Sequence, residues 1–197
     1  MAHPLTKKLR KNFIKRLSKL EILNAIHFGD KKSKEDVSKQ LNEEVLTIGY
    51  TQTKNQLQHF MPNGEVAKLL KLCSERFDGI IEDIQNAKIG NFKNNASSFV
   101  DDWFAFDPTA YALTYELEDK DEKKSKNIGF IVVLATPTLK GVYSNEVQFD
   151  TMEDVATFLD SILIHEIAHC VGSMKHDSTF KKIFKQICEL EEINPNV

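Results

Sequence analysis

Apolar residues recur at three- and four-residue intervals over much of the chain, which is the spacing of an amphipathic helix. From Gly64 to about Ala87 the apolar stripe is wide enough to pack against a sheet or another helix. The stretch from Thr151 to Val171 is apolar almost all round, as expected of a buried helix. In total the pattern predicts helices at about 5–27, 33–46, 64–87, 151–171 and 178–192.

Capping signals define several of the helix ends. Ser33 is followed three residues later by Asp36, and Thr151 by Asp154, which is the arrangement of a capping box. Gly172 directly follows the helix at 151–171, which predicts a left-handed helix C terminus at that position. The last helix is expected to stop before the Asn-Pro pair near the end of the chain.

Two runs rich in apolar and β-branched residues, at 110–115 and 128–135, predict β-strands, and a third run at 142–149 alternates less regularly. The polar segment between the first two runs is expected to be a hairpin loop. Helices combined with a small, mainly antiparallel sheet define an α+β fold. In this fold we expect the helix at 64–87 to pack behind the helix at 151–171.

Length and charge indicate how the chain is organised. Its 197 residues fit one compact domain with an extension, which we divide into a basic helical N-terminal extension at 1–60 and a main domain at 61–197. Residues 1–40 contain eleven Lys or Arg and four Asp or Glu, so they carry +7, whereas the remaining 157 residues carry −10. A basic end on an acidic body is typical of contact with nucleic acid, and also of a solvated helix face.

The composition also bears on the compartment. Cys73, Cys170 and Cys188 are odd in number and widely spaced, so we expect small buried residues rather than a disulfide framework. The N terminus is basic but lacks the apolar segment of a signal peptide, and the longest apolar run is too short to span a bilayer. We therefore expect a soluble protein without membrane contact, in the cytoplasm or another reducing intracellular compartment.

Residues 165–169 read HEIAH, which matches the H-E-x-x-H pattern of zinc hydrolases. On a helix His165 and His169 lie one turn apart on one face, so both imidazoles can bind a single Zn²⁺ ion. Glu166 lies about 100° around the helix from His165, where it can accept a proton from water at the metal. Such buried polar groups need partners, which a divalent cation supplies. Tyr111 and Tyr143 are candidates, by residue type alone, for a donor to the oxyanion.

A catalytic zinc site has three protein ligands and one open position. The leading third ligand is His176, because Gly172 allows the chain to turn back after the helix. A carboxylate from the last helix is the alternative: Glu189 points away from the apolar stripe of that helix, whereas Glu191 faces along it near the end. Asp177 can either hydrogen bond to a ligand histidine or cap the last helix.

The segment HEIAHCVGSMKHDSTFKKIFKQICEL resembles the zincin metallopeptidases of the WLM and SprT-like group. In the WLM pattern, H-E-x-x-H is followed by a glycine-containing turn, a His-Asp pair and a Phe; the matching positions are His165, Glu166, His169, His176, Asp177 and Phe180. The run GFIVVLAT ahead of the active helix follows the order of the family. The separation of His169 and His176 is longer than in the WLM pattern and shorter than in the SprT-like one, so both subfamilies stay open.

The resemblance implies a zincin-like minimal metallopeptidase fold and a zinc-dependent endopeptidase activity. Zn²⁺ would be held by His165, His169 and His176, with Glu166 as the general base. The implied partners are a protein or peptide substrate and nucleic acid bound through the basic N-terminal segment, because several relatives cleave protein crosslinked to DNA. The alternative from another class is a non-catalytic zinc-containing protein that binds nucleic acid or a partner.

Overall fold

The computed structural model describes residues 4–21, 23–24, 29–33, 35–36, 39, 64–90, 111–119, 126–134 and 149–194. Within these ranges it contains four helices of at least 13 residues and one antiparallel pair of strands. This combination is compatible with the expected α+β class. The elements are α1 (Pro4–Leu17), α2 (Gly64–Ala87), β1 (Ala112–Asp119), β2 (Lys126–Leu134), α3 (Met152–Val171) and α4 (Ser178–Leu190).

Helix α1 ends at Leu17, so the prediction of one continuous helix to about residue 27 is wrong. The hydroxyl of Ser18 donates to a backbone carbonyl of the preceding turn, and the chain leaves the helix there. Helical structure resumes at Glu21, whose N–H donates to the Glu65 carboxylate of α2 at 2.9 Å. The periodicity continues across this break because Leu17 and the two leucines that follow it are all buried.

The second predicted helix begins earlier than the sequence indicates. Residues 31–33 are already helical, because the carboxylate of Asp30 accepts the N–H of Ser33 at 2.7 Å and acts as the cap. Ser33 is therefore not the cap residue. The rest of this helix beyond residue 39 lies outside the described residues, as does the predicted connector at 47–63.

Strands β1 and β2 pair antiparallel, as expected, with Thr114 opposite Val132. The pairing continues to the ends of both strands and takes in polar residues that the sequence pattern assigned to the loop. Ladder hydrogen bonds do not require apolar side chains, so apolar runs alone underestimate the length of such strands. The predicted third strand at 142–149 lies outside the described residues except for Phe149, which is not in a strand.

Helix α3 lies at the centre of the described structure. Its predicted capping box is confirmed: the Thr151 hydroxyl accepts the N–H of Asp154 at 3.2 Å, and the Asp154 carboxylate accepts the N–H of Thr151 at 2.9 Å. Between residues 155 and 171 only Thr157, Ser161 and His165 are not fully buried, and their four-residue spacing places them on one line.

None of the described helices is long and apolar enough to cross a bilayer.

Gly172 ends α3 without adopting the left-handed conformation that the sequence analysis predicts. Its φ is −118°, a value open to any residue. A Cβ atom at this position would lie 2.8 Å from the carbonyl oxygen of Ala168 and 3.1 Å from a side-chain carbon of Ile183. A side chain at this position would therefore clash with the last turn of α3 and crowd Ile183 of α4, which accounts for the glycine.

A buried ionic network joins the four helices around Asp160, which is fully buried on α3. The Arg76 guanidinium of α2 donates to both Asp160 oxygens, at 2.9 and 3.3 Å, and to Glu191 at 2.6 Å. Arg10 of α1 donates to Asp160 and, at 2.6 Å, to Glu153. Burial raises the pKa of Glu191 to about 7, although Arg76 opposes that shift. The network sets the position of α3 relative to its neighbours.

The helix α1 belongs to the same core as α2 and α3. Phe13 and Leu17 are buried among the residues of the common core, and a Cβ atom at Gly79 of α2 would lie 3.1 Å from Leu9. The division between residues 1–60 and 61–197 stays a prediction, because much of the connecting segment lies outside the described residues.

Replacing Asp160 with alanine should lower the free energy of unfolding by about 3–5 kcal/mol, because it leaves the buried guanidinium group of Arg76 and the partly buried one of Arg10 without their shared partner. Urea unfolding of the variant and the wild type measures the difference. Asp150→Ala, at an exposed position just before the same helix, is the matched control and should change stability by no more than about 0.5 kcal/mol. Equal stability of the two variants would contradict the role of the network.

Candidate metal centre

His165 and His169 lie on consecutive turns of α3, as the motif predicts. Their ring centroids are 4.9 Å apart and the rings meet edge to face at 78°. His165 is at the end of the one line of α3 that is not fully buried, whereas His169 is 8% exposed. The helix therefore directs both imidazoles to the same small region at the protein surface.

His176 joins them from the turn between α3 and α4. Its Nε2 atom lies 3.0 Å from Nε2 of His165, and its ring centroid lies 4.8 Å from that of His169. One nitrogen from each of the three rings can be chosen so that all lie within 4.8 Å of one another. The three histidines are close enough to bind one metal ion.

The protonation of the rings favours metal binding. The pKa of His165 is lowered to about 4, chiefly by burial and then by the neighbouring His169 and His176. The pKa of His169 is also lowered, again chiefly by burial. Near neutral pH both rings are uncharged, which is the form in which an imidazole nitrogen can coordinate a cation.

A hydrogen bond at Nδ1 of His169 leaves Nε2 as the nitrogen that can bind a metal ion. Nδ1 lies 2.9 Å from the carbonyl oxygen of Ser173, so the ring donates from Nδ1 and keeps a lone pair on Nε2. The Ser173 hydroxyl in turn donates to Asp177 at 2.7 Å. This chain of contacts connects the His169 ring to the start of α4.

Asp177 caps α4, which decides between the two roles that the sequence left open. One carboxylate oxygen accepts the N–H of Phe180 at 3.0 Å, and the other accepts the hydroxyl of Ser173. These hydrogen bonds lower the pKa of Asp177. Asp177 therefore acts on His169 only through Ser173, and it contacts no histidine directly in the described part of the chain.

The ring of Phe180 packs against all three imidazole rings. Its centroid lies 4.5 Å from that of His169 and at 4.8–4.9 Å from those of His165 and His176. Phe180 is 5% exposed and stacks on Phe184 at 5.9 Å. An aromatic surface in this position restricts the orientations that the three imidazoles can adopt.

Glu166 directly follows His165 on α3 but is not part of the histidine cluster. Its side chain is buried, and burial raises its pKa to about 7. The Thr114 hydroxyl of β1 donates to Oε2 of Glu166 at 2.5 Å and opposes that shift. The sequence analysis did not identify Thr114 as a site residue. The available signal was its polar side chain at a strand position that pairs with an apolar residue, Val132.

The two carboxylates considered as alternative ligands are engaged elsewhere. Glu191 does face inward, as its position on the stripe predicts, but its partner is the buried guanidinium of Arg76. Glu189 is exposed and lies 3.8 Å from Lys185. In the residues that the structure describes, no carboxylate or cysteine joins the three histidines as a fourth protein ligand.

The remaining candidates from the sequence lie away from the centre or outside the described ranges. Tyr111 is 42% exposed and packs edge-on against Phe158, and Tyr143 lies outside the described residues. The three cysteines are free and buried, as predicted. Burial raises the pKa of Cys170 to about 12, so this neighbour of His169 is not a ready thiolate ligand.

Comparison of the chain with protein-family models, with curated proteins and with solved structures gives no match.

Replacing His176 with alanine should weaken metal binding by more than about 100-fold, because loss of a partner of a ligand already costs 10–100-fold. Competition between the apo protein and a chromophoric chelator for Zn²⁺ measures the affinity. Glu189→Ala is the control and should leave the affinity unchanged. The reverse pattern, with His176→Ala unaffected and Glu189→Ala weakened, would return the third ligand to the carboxylate.

Proposed function

We propose that the chain is a zinc-dependent endopeptidase of the zincin type, similar to the WLM and SprT-like enzymes. One observation supports this most strongly: three imidazoles lie close enough to bind one metal ion, and the residue that follows His165 on the same helix is a buried glutamate. Hydrolytic zinc sites combine three protein ligands with an open position and an adjacent base. The described residues supply three ligands and no fourth, which fits that pattern.

The donor set fits zinc in type and in spacing. Imidazole nitrogens bind zinc at about 2.0–2.1 Å, so two ligands of a tetrahedral ion are about 3.3 Å apart. The separation of 3.0 Å between Nε2 of His165 and Nε2 of His176 is close to this value.

Zinc bound here would acidify a water molecule and polarise the scissile carbonyl group. Glu166 accepts a proton from the attacking water as the new C–O bond forms at the carbonyl carbon. Glu166 then delivers that proton to the amide nitrogen, and the C–N bond breaks to release an amine and a carboxyl group. A single carboxylate can serve both steps because the proton that it takes up is the one that it releases.

The fold that we propose is a minimal zincin domain at residues 61–197. The active helix is α3, α2 backs it, and β1 and β2 belong to the small sheet beside it. The ring of Phe180 and the cap at Asp177 correspond to the Phe and the Asp of the WLM pattern. Residues 1–60 are the basic extension of this proposal, and its helix α1 packs in the same core.

Replacing Glu166 with glutamine should leave zinc affinity within about threefold of the wild type and abolish peptide hydrolysis, because the amide cannot accept the proton. A mixture of quenched fluorescent peptides of varied sequence, with products identified by mass spectrometry, detects cleavage at any preferred site that the mixture contains. Glu189→Gln changes an exposed glutamate in the same way and should retain full activity.

The same experiment separates the enzyme from its rival, a zinc-containing protein that binds partners without cutting. Zinc-loaded wild type that leaves every peptide and an unfolded protein substrate intact would favour the rival. Cleavage retained in Glu166→Gln would remove Glu166 from its role while leaving the peptidase in place.

A second element of the proposal is that the substrate is protein associated with nucleic acid. A surface groove of about 360 Å³ between α1 and α2 is lined by Arg16, Lys19, Lys68 and Lys71, and a neighbouring groove adds Lys15. Glutamates pair with two of these cations, and the others stand exposed on one face. Such a row of cations can follow a phosphate backbone.

Reversing three of these charges, at Lys15, Lys19 and Lys71, should weaken DNA binding at least tenfold and flatten its dependence on salt, because fewer counterions are released. Fluorescence anisotropy with a labelled oligonucleotide at several salt concentrations measures both quantities. A control with the same net charge carries glutamate at three exposed lysines outside the basic N-terminal segment, Lys88, Lys181 and Lys182. Equal losses in the two variants would assign the effect to overall charge and would contradict a groove-bound nucleic acid.

A further inference from the structure

One hydroxyl group reaches the buried carboxylate of Glu166 from a different element. Oγ1 of Thr114, on β1, lies 2.5 Å from Oε2 of Glu166 and 3.4 Å from the carbonyl oxygen of the same residue. A threonine hydroxyl has a single proton to donate, so the shorter contact receives it. Thr114 therefore holds one defined oxygen of the carboxylate.

The other oxygen of Glu166 has no such partner. Among the described residues none forms a hydrogen bond to Oε1. The carboxylate is thus held asymmetrically, with Oε2 bound to the strand. Oε1 is left as the oxygen that can exchange a proton with water at the neighbouring cluster.

The strand makes Thr114 a rigid support. Thr114 pairs with Val132, which is fully buried, and its side chain lies on the same face as Ala112 two residues earlier. Its β-branched side chain has few accessible rotamers, and the ladder on β2 holds its backbone in place. A donor with so little freedom restrains the terminal torsion of the glutamate, which otherwise has a broad range.

We propose that Thr114 is a positioning residue for Glu166: its hydroxyl fixes Oε2 and thereby directs Oε1 towards the attacking water. This inference rests on the proposed peptidase function. The hydroxyl touches neither the metal ligands nor the substrate, so its loss acts through the orientation of Glu166. The effect is expected on kcat and not on KM, because an oriented base matters in the transition state more than in substrate binding.

The test compares Thr114→Val, which keeps the shape and removes the hydroxyl, with Thr114→Ser, which keeps the hydroxyl. In Thr114→Val we expect kcat to fall about 10–100-fold, since small misplacements of a reacting group cost up to about 100-fold, with KM and zinc affinity unchanged. Thr114→Ser should recover to within about threefold of the wild type. Thr157→Val makes the same exchange at a hydroxyl on α3 whose partner is Arg10, and it should leave kcat unchanged.

Two results would overturn the inference. One is a Thr114→Val variant with wild-type kcat. The other is an equal loss of kcat in Thr114→Val and Thr114→Ser, which would indicate that the effect comes from the shape of the side chain and not from its hydrogen bond. If Thr114→Val does not fold, Thr114→Ala takes its place in the same comparison.

A crystallographic measurement distinguishes this inference from the proposed function. In zinc-loaded wild type we expect Oε2 of Glu166 within hydrogen-bond distance of Thr114, and in the valine variant a carboxylate with more than one orientation. A single, unchanged orientation in both proteins contradicts the positioning role. The wild type could instead lack peptidase activity while the two proteins still differ in the orientation of Glu166 as expected. That result would refute the proposed function alone and keep Thr114 as the group that orients Glu166.

Discussion

Desolvation of the polar groups on α3 is the constraint on which the rest of the structure depends. The helix is buried on nearly every side, yet it carries Asp160, Glu166 and His169 among its buried residues. Each such group is costly in a low-dielectric interior unless a partner satisfies it. Two arginines satisfy Asp160 and a threonine hydroxyl satisfies one oxygen of Glu166. The three histidines are close enough to one another for a single cation to be their common partner.

The partners come from every neighbouring element, so the same contacts that satisfy α3 also fix its position. Helices α1, α2 and α4 meet at the charges around Asp160, and β1 meets the helix at Glu166. The turn after α3 begins at Gly172, where the chain packs closely against Ile183. Hydrogen bonds from Ser173 to Asp177 and from Phe180 to Asp177 connect this turn to α4. The histidine cluster therefore lies where the rigid end of one helix and the capped start of another converge.

The sequence predicts the parts of this arrangement that depend on local patterns. The bounds of α2, the capping box at Thr151 and the convergence of the three histidines follow from periodicity, capping chemistry and motif spacing. Contacts between distant elements have no such signal. Helical structure resumes after the break at Leu17 where Glu65 accepts the N–H of Glu21, the inward carboxylate of Glu191 pairs with Arg76, and Gly172 avoids a clash instead of forming a left-handed turn.

The claim that one ion joins the three imidazoles is tested most directly by zinc K-edge absorption combined with anomalous diffraction from crystals of the zinc-loaded protein. We expect one zinc per chain, with nitrogen atoms of His165, His169 and His176 at about 2.0–2.1 Å and one further light ligand. Zinc bound to sulfur, zinc bound without His176, or a fully loaded protein with the three rings directed away from one another would contradict it.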